Sequence, residues 1–459
     1  MESQPNPTAA AATRAGDPGT SPQELRRVVI GSVVGTALEW YDFFIYGTAA
    51  ALVFGTLFFP EGDPTTGTLL AFATFGVGFV FRPLGGVLFG HVGDRIGRRA
   101  TLVLTTAIMG LSTGLIGLLP TYESIGIWAP LLLVLMRVVQ GLGAGAEFGG
   151  ASTLLAEHAP RARRGFFTSF AQTGVQIGLL SGTLVFLLVG RLSDEALESW
   201  GWRVPFLVSF ALIGVALYVR LRVEESPVFK RMQQTQTVVR LPIRDAIVRY
   251  PRNMLIGVGG HIADTAIAYL MATFSVSYVT ETLGLSRTVA LTGVVLFSVA
   301  VIALQPVYGA LSDRIGRRPI NLFSVVFTAV FAFPFWLMVD TAEPVLIWLA
   351  LLITMVLGWA PMIAVQAAWY TELFGARVRY SAFATSREVG AALAGFSPLL
   401  AAYLQSQLGG DPWLIAVMTI VLCAVSFAAF YAAREGKDID IGDMGPEPIA
   451  AKPVPDTPL

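Results

Sequence analysis

The chain has 459 residues, 54% of them hydrophobic and 14% charged, with a formal net charge of zero. Soluble domains run nearer about 45–50% apolar and about 25% charged, so the composition argues against a string of soluble domains, and no bulk charge recruits nucleic acid. A single cysteine, Cys423, leaves no intrachain disulfide framework and no cysteine-based metal site.

Residues 1–24 are rich in Ala, Pro, Thr and Gly and read as a disordered tail without the apolar core of a signal peptide. Apolar runs then fall near 28–58, 67–90, 100–119, 127–155, 165–190, 203–222, 252–280, 288–310, 320–339, 344–372, 380–407 and 411–433. A membrane helix needs about 20 apolar residues, so the spacing predicts an all-α membrane protein with twelve transmembrane helices. It divides into a six-helix bundle over 25–222, a polar, basic linker over 223–251, a second six-helix bundle over 252–433, and a disordered, Pro-rich tail over 434–459 without heptads. Within the linker, 243–248 reads either as a short interfacial helix or as plain linker.

The loops alternate in charge. Counted by these boundaries, 25 of the 31 lysines and arginines fall on one side. Only Arg191, Arg203 and Arg287 fall on the other, and Arg82, Arg137 and Arg387 lie inside spans. The positive-inside rule then predicts that both termini, the linker and both tails are cytoplasmic.

One loop occurs twice. GHVGDRIGRR at 90–99 returns as GALSDRIGRR at 309–318, with Asp94 and Asp313 separated by 219 residues, just under half the chain. A merely positive loop needs no Asp or Gly at fixed spacing, so the copies read as a duplicated gate built from Gly90, Asp94, Arg95, Gly97 and Arg98, with Asp313, Arg314 and Arg317. The aspartate is expected to accept from backbone amides at a helix N-terminus and to pair with an arginine. The glycines are expected to permit close packing and a left-handed turn.

Ionisable residues inside a membrane are functional candidates by default. Glu39, Tyr41 and Asp42 lie in the first span, with the two carboxylates three residues apart and so on one helical face. Two carboxylates in low dielectric resist joint ionisation, as a proton-carrying pair must; the alternative is a carboxylate held by an arginine to join helices. Arg137 is the candidate for a substrate clamp or coupling role, and Arg82, next to Pro83, for a gate or internal pair. Glu147 lies ten residues beyond Arg137. Gly141, Gly145 and Gly149, and Gly174, Gly178 and Gly182, are small-residue tracks for tight packing, with Gln172 and Gln176 beside the second as polar candidates. The second half offers His261, Asp264, Trp369 and Glu388. Arg387 and Glu388 are adjacent and so expected to point apart. The asymmetry suggests coupling through Glu39, Asp42, Arg137 and Asp264, and more of the selectivity in the second half. Gly110, Ser112 and Gly114 match the hydrolase pattern G-x-S-x-G, but inside an apolar span rather than at a strand–turn–helix junction. No metal or cofactor motif occurs.

These features resemble the major facilitator superfamily. GTALEWYDFFIYG (35–47), FRPLGGVLFGHVGDRIGRR (81–99), RVVQGLGAGAEFGG (137–150), WGWRVPF (200–206) with VEESPVF (223–229), and TELFGARVRYSAF (371–383) look like its metabolite:proton symporter family. Two stretches, YGTAAALVF (46–54) and TLLAFATFGVGFVFRPLGG (68–86), are most similar to the shikimate transporter group. The resemblance implies two pseudo-symmetric halves that rock about a midplane site, each half built from inverted three-helix repeats. It implies symport of a small organic acid with protons, as a monomer, in a bacterial-type inner membrane. Rival readings are a symporter of proline, betaine or a di- or tricarboxylate, a drug exporter, and a non-transporting membrane sensor. The missing heptad tail departs from the osmosensing betaine carriers, and the fifth span lacks the Gly-Pro element of the drug antiporters.

Overall fold

The computed structural model describes residues 22–60, 64–96, 98–145, 148–222, 247–374, 379–407 and 411–439. Among these residues no strand occurs. Ten helices are long and apolar enough to cross a membrane, and two shorter apolar helices complete the expected twelve. In chain order they are α1 (Pro22–Phe58), α2 (Thr65–Phe89), α3 (Val103–Ile116), α4 (Trp128–Ala144), α5 (Arg161–Val189) and α6 (Asp194–Tyr218) in the first half. The second half has α7 (Pro251–Thr282), α8 (Arg287–Ile315), α9 (Arg317–Val339), α10 (Pro344–Leu373), α11 (Ser381–Gln407) and α12 (Trp413–Ala432).

The polarity is inverted relative to a soluble protein. Leu104, Leu111, Val299, Val330, Leu337 and Val421 point outward, while Arg82, Arg137, Gln172, Gln305 and Arg317 are buried. Lipid tolerates the first set, and only neighbouring helices can satisfy the second. Three helices that face the seam between the halves carry wide turns: π segments occupy Ala50–Phe54 in α1, Leu270–Phe274 and Tyr278–Thr282 in α7, and Thr354–Trp359 in α10. Such segments often accompany functional sites. Within the expected 127–155 run, α4 ends at Ala144 and a second helix spans Phe148–His158, with residues 146–147 outside the described residues. The helix α1 begins at Pro22, earlier than the expected run at 28. Most of the expected linker, 223–246, lies outside the described residues.

The halves meet where α5 packs on α8 and α10, and where α2 packs on α11. Glycines set how near α5 comes to its neighbours. A Cβ at Gly174 or Gly178 would lie 2.6 Å from the Val33 or Ala37 carbonyl of α1, so the glycine track is a packing surface. The glutamines Gln172 and Gln176 are offset from that track, and Ser169 of the same helix packs against α8. Aromatic rings fill the seam between α1, α2 and α7, with Tyr269 4.9 Å from Phe75, 5.1 Å from Phe79 and 5.8 Å from Phe44.

Candidate functional site

A buried ion network joins the halves at the centre. Arg82 of α2 is fully buried. Its Nε lies 2.5 Å from Glu388 Oε2 of α11 and its Nη2 3.7 Å from Glu39 Oε1 of α1. The guanidinium also lies 4.8 Å from the Phe43 ring and 5.5 Å from Trp40. Arg82 is therefore an internal pair, and it spans both halves. Arg387 corrects an expectation: its Nη1 meets Glu388 Oε1 at 2.6 Å, so these neighbours converge. Adjacent Cα–Cβ bonds do diverge on a helix, but an arginine is long enough to curl back to the carboxylate beside it.

Asp42 turns to a different neighbour, accepting from Ser209 Oγ of α6 at 2.8 Å. Glu39 and Asp42 nevertheless line one small cavity of about 20 Å³, with Thr106, Met109 and Ser209. That is room for about one water molecule. Tyr41 donates to the Pro205 carbonyl at 2.8 Å and so stands apart from the network.

Arg137 of α4 is also fully buried. It donates to the Phe75 carbonyl at 2.8 Å, to the Thr74 carbonyl at 3.5 Å and to Gln140 Oε1, and it lies 4.0 Å from the Tyr46 ring centroid. Among the described residues no carboxylate is within ion-pair distance of it.

A second polar group links α5, α10 and α7. Gln366 Nε2 donates to Asp264 Oδ2 at 2.8 Å and lies 2.9 Å from His261 Nδ1, and these two α7 side chains are 2.9 Å apart. Gln172 Nε2 reaches Gln366 Oε1 at 3.5 Å across the seam. Trp369 makes no hydrogen bond to this group; its ring packs on Phe430 of α12, on Tyr370 and against Gly260 of α7. Glu147 lies outside the described residues.

The second copy of the repeated loop forms a cross-half latch. Asp313 accepts the Gly165 and Phe166 backbone N–H groups at the start of α5, at 2.7 and 2.9 Å. Arg317 holds Asp313 at 2.8 Å and forks onto Glu372 of α10 at 3.1 and 3.3 Å. Arg164 of α5 meets the same Glu372 at 3.1 Å. Gly309 and Gly316 are the counterparts of Gly90 and Gly97. A Cβ on Gly309 would lie 2.6 Å from the Gly165 carbonyl, and Gly316 has φ +102° between α8 and α9. Arg314 is exposed and stands outside the latch. In the first copy Gly97 lies outside the described residues, as do the side chains of Asp94, Arg95 and Arg98 and the surroundings of Gly90. After α12 the chain folds back, and Glu435 accepts the Arg317 and Arg318 backbone N–H groups, each at 2.9 Å. Arg164, Glu372 and Glu435 were not singled out by the sequence reading, although Glu372 is a carboxylate at the end of the apolar run 344–372.

At the other end a cavity of about 760 Å³ opens between α1, α2, α7 and α11, lined by Thr68, Glu281, Arg287 and Gln405. Thr68 Oγ1 donates to Glu281 across the seam at 3.3 and 3.4 Å, and Arg287 pairs with Asp194 at 2.5 Å. Contacts thus join the halves at both ends, around a centre rich in buried charge.

Two six-helix halves of apolar helices, joined by buried charges between them and by contacts at both ends, are the architecture of a multi-pass membrane transporter. Comparison with known proteins agrees. The model of the Major Facilitator Superfamily matches residues 33–395 and 254–446, and the chain belongs to that family. The shikimate transporter of Escherichia coli K12 is 40% identical over 418 residues, covering 89% of this chain and 95% of that one. The inner membrane metabolite transport protein YhjE of the same strain is 41% identical, with 83% and 88% covered. Its proline/betaine transporter is 36% identical, with 83% and 78% covered. A structure of the proton:xylose symporter XylE bound to 6-bromo-6-deoxy-D-glucose superposes with a TM-score of 0.70 at 18% identity, covering 90% and 96%; it shares the fold. These relatives are transporters, and this chain is a transporter of the superfamily rather than an enzyme.

Proposed function

We propose that this chain imports a small organic acid together with protons by alternating access, with shikimate or a related hydroxylated carboxylate as substrate. The observation that carries the reading is Arg137: a fully buried guanidinium held by carbonyls, an amide and a ring face, with no carboxylate near among the described residues. A buried cation without a counter-ion is costly, and a substrate carboxylate supplies one. Glu39 and Asp42 are the proton carriers in this reading, with Asp264 as a further coupling residue. His261 and Glu388 face the substrate path, beside Gln172 and Gln176. The latch end is cytoplasmic by the positive-inside rule, in a bacterial-type inner membrane, and the carrier acts as a monomer over the domain boundaries set out from the sequence.

The shikimate transporter relative supports the substrate class, and the XylE likeness is compatible with proton symport. A zwitterion such as proline or betaine is the second reading, favoured by the proline/betaine relative. It also offers Arg137 a carboxylate. Counterflow in liposomes without a pH gradient separates the two. Labelled shikimate should exchange and be displaced by hydroxylated carboxylates but not by betaine, and Arg137→Gln should abolish the exchange. Failure of shikimate to exchange overturns the acid reading; displacement by betaine alone moves it to osmolytes.

A further inference from the structure

The seam between α5 and α8 holds side-chain amides that the ion network and the latch do not use. Gln176 and Gln305 are fully buried, and neither their amide oxygens nor their amide nitrogens have a hydrogen-bond partner among the described residues. The Gln172 amide oxygen is likewise without one. Buried polar groups are nearly always paired, so an orphaned amide needs a reason, and here several converge.

Register places them together. Gly309 of α8 lies against Gly165 and Ser169 of α5. Gln305 precedes Gly309 by four residues and Ser312 by seven, so it shares their face, the face turned to α5. The two helices run antiparallel. One turn along from the Ser169–Gly309 contact therefore sets Gln305 level with Gln172, and Gln176 stands one turn beyond. Gln172 already touches Gln366 of α10, which reaches Asp264 and His261. Glutamines from α5, α8 and α10 thus line one stretch of the seam that opens and closes as the halves rock. It lies on the centre side of the Asp313 latch.

We propose that Gln305, with Gln172, Gln176 and Gln366, is a rack of amides that binds the hydroxyl groups of the substrate while its carboxylate is held elsewhere. A side-chain amide offers two donors and an acceptor, which suits a hydroxyl, itself donor and acceptor. The orphaned atoms are then those left waiting when the seam is shut without substrate. A site that hydrogen-bonds a hydroxyl discriminates strongly against the analogue lacking it, because its own polar groups stay unpaired. The rack is thus a specificity determinant, and Gln305 its contribution from the second half. The inference rests on the organic-acid reading above.

The test is counterflow of labelled shikimate by the full chain in liposomes, with shikimate and cyclohex-1-ene carboxylate, the same acid without its hydroxyls, as competitors. In Gln305→Leu the shikimate affinity should fall about tenfold, the size of one lost hydrogen bond of about 1.4 kcal/mol. The affinity for the hydroxyl-free acid should hold within about twofold. Gln176→Leu should give the same change of ratio, which guards against a folding defect peculiar to one site. Equal weakening of both acids in both variants means a structural role and overturns the proposal, as does no change in either. If the wild type fails to exchange shikimate at all, the organic-acid reading falls and the rack falls with it. Wild-type exchange with an unmoved ratio removes the rack alone.

Discussion

Asp313 and Gly165 lie on opposite halves of the molecule, yet the carboxylate accepts the glycine N–H at 2.7 Å and that of Phe166 at 2.9 Å. A side chain of one half thereby caps a helix of the other. Anions are stabilised at a helix N-terminus by the helix dipole and the unsatisfied amides. In the proposed alternating-access cycle the contact holds only while this end is shut, so its free energy biases that conformation.

Asp313→Asn should therefore open this end. Hydrogen bonds to charged groups contribute about 1.5–3 kcal/mol each, and about 1.4 kcal/mol multiplies a population ratio tenfold. Cys423 is buried, so a cysteine introduced at Ser169 is a clean reporter. Its alkylation should be at least about tenfold faster in the Asn variant. An unchanged rate would remove the cap from the gating account.

Gly309→Val tests the same surface by volume. The added Cβ would lie 2.6 Å from the Gly165 carbonyl and 2.8 Å from Ser169 Cβ, both tighter than any ordinary contact. The latch could not shut, so counterflow should fall at least about tenfold in a chain that still folds and inserts, with reporter alkylation raised. Normal counterflow would mean that the close approach is dispensable.

These contacts show where sequence reasoning reached and where it stopped. Apolar runs and loop charge announced the helices, because each span must satisfy its own backbone. Duplication drew attention to the repeated loop, and in its second copy Asp313 accepts backbone amides and pairs with Arg317, Gly309 packs closely and Gly316 has a positive φ. In the sequence Arg164 is one of several arginines between two apolar runs and Glu435 lies past the last run, and neither carries a signal of its own. Nothing in one dimension says that α5, α8, α9, α10 and the tail converge on one point. Span 11 misled for a different reason: helical geometry separates Cβ directions, whereas Arg387 and Glu388 meet through side-chain length. Tyr41 shares a short motif with Glu39 and Asp42 but turns to the Pro205 carbonyl, because successive helix positions face different neighbours.

The Arg82–Glu388 pair should behave as a coupled unit. Removing one partner of a buried pair leaves an uncompensated charge and costs about 3–5 kcal/mol. Arg82→Met and Glu388→Leu should each lower the melting temperature in detergent, and the double variant should lose less than the sum by about 1 kcal/mol or more. Strict additivity would show that the 2.5 Å contact contributes no coupling.

Asp42→Asn should separate the proton from the substrate. The amide keeps a hydrogen-bond acceptor for Ser209, whose hydroxyl lies 2.8 Å from Asp42 Oδ1, but it carries no proton. Uphill uptake should vanish while exchange at equal pH remains measurable. Intact uphill uptake would take Asp42 out of the coupling path.

The central claim is that this transporter couples an organic acid to protons. It is tested most directly by uptake of labelled shikimate into liposomes holding the purified chain, with and without an imposed inward proton gradient. The account predicts accumulation above the external concentration only when the gradient is present, and its collapse on adding a protonophore. Uptake that ignores the gradient, or no uptake at all, would contradict it.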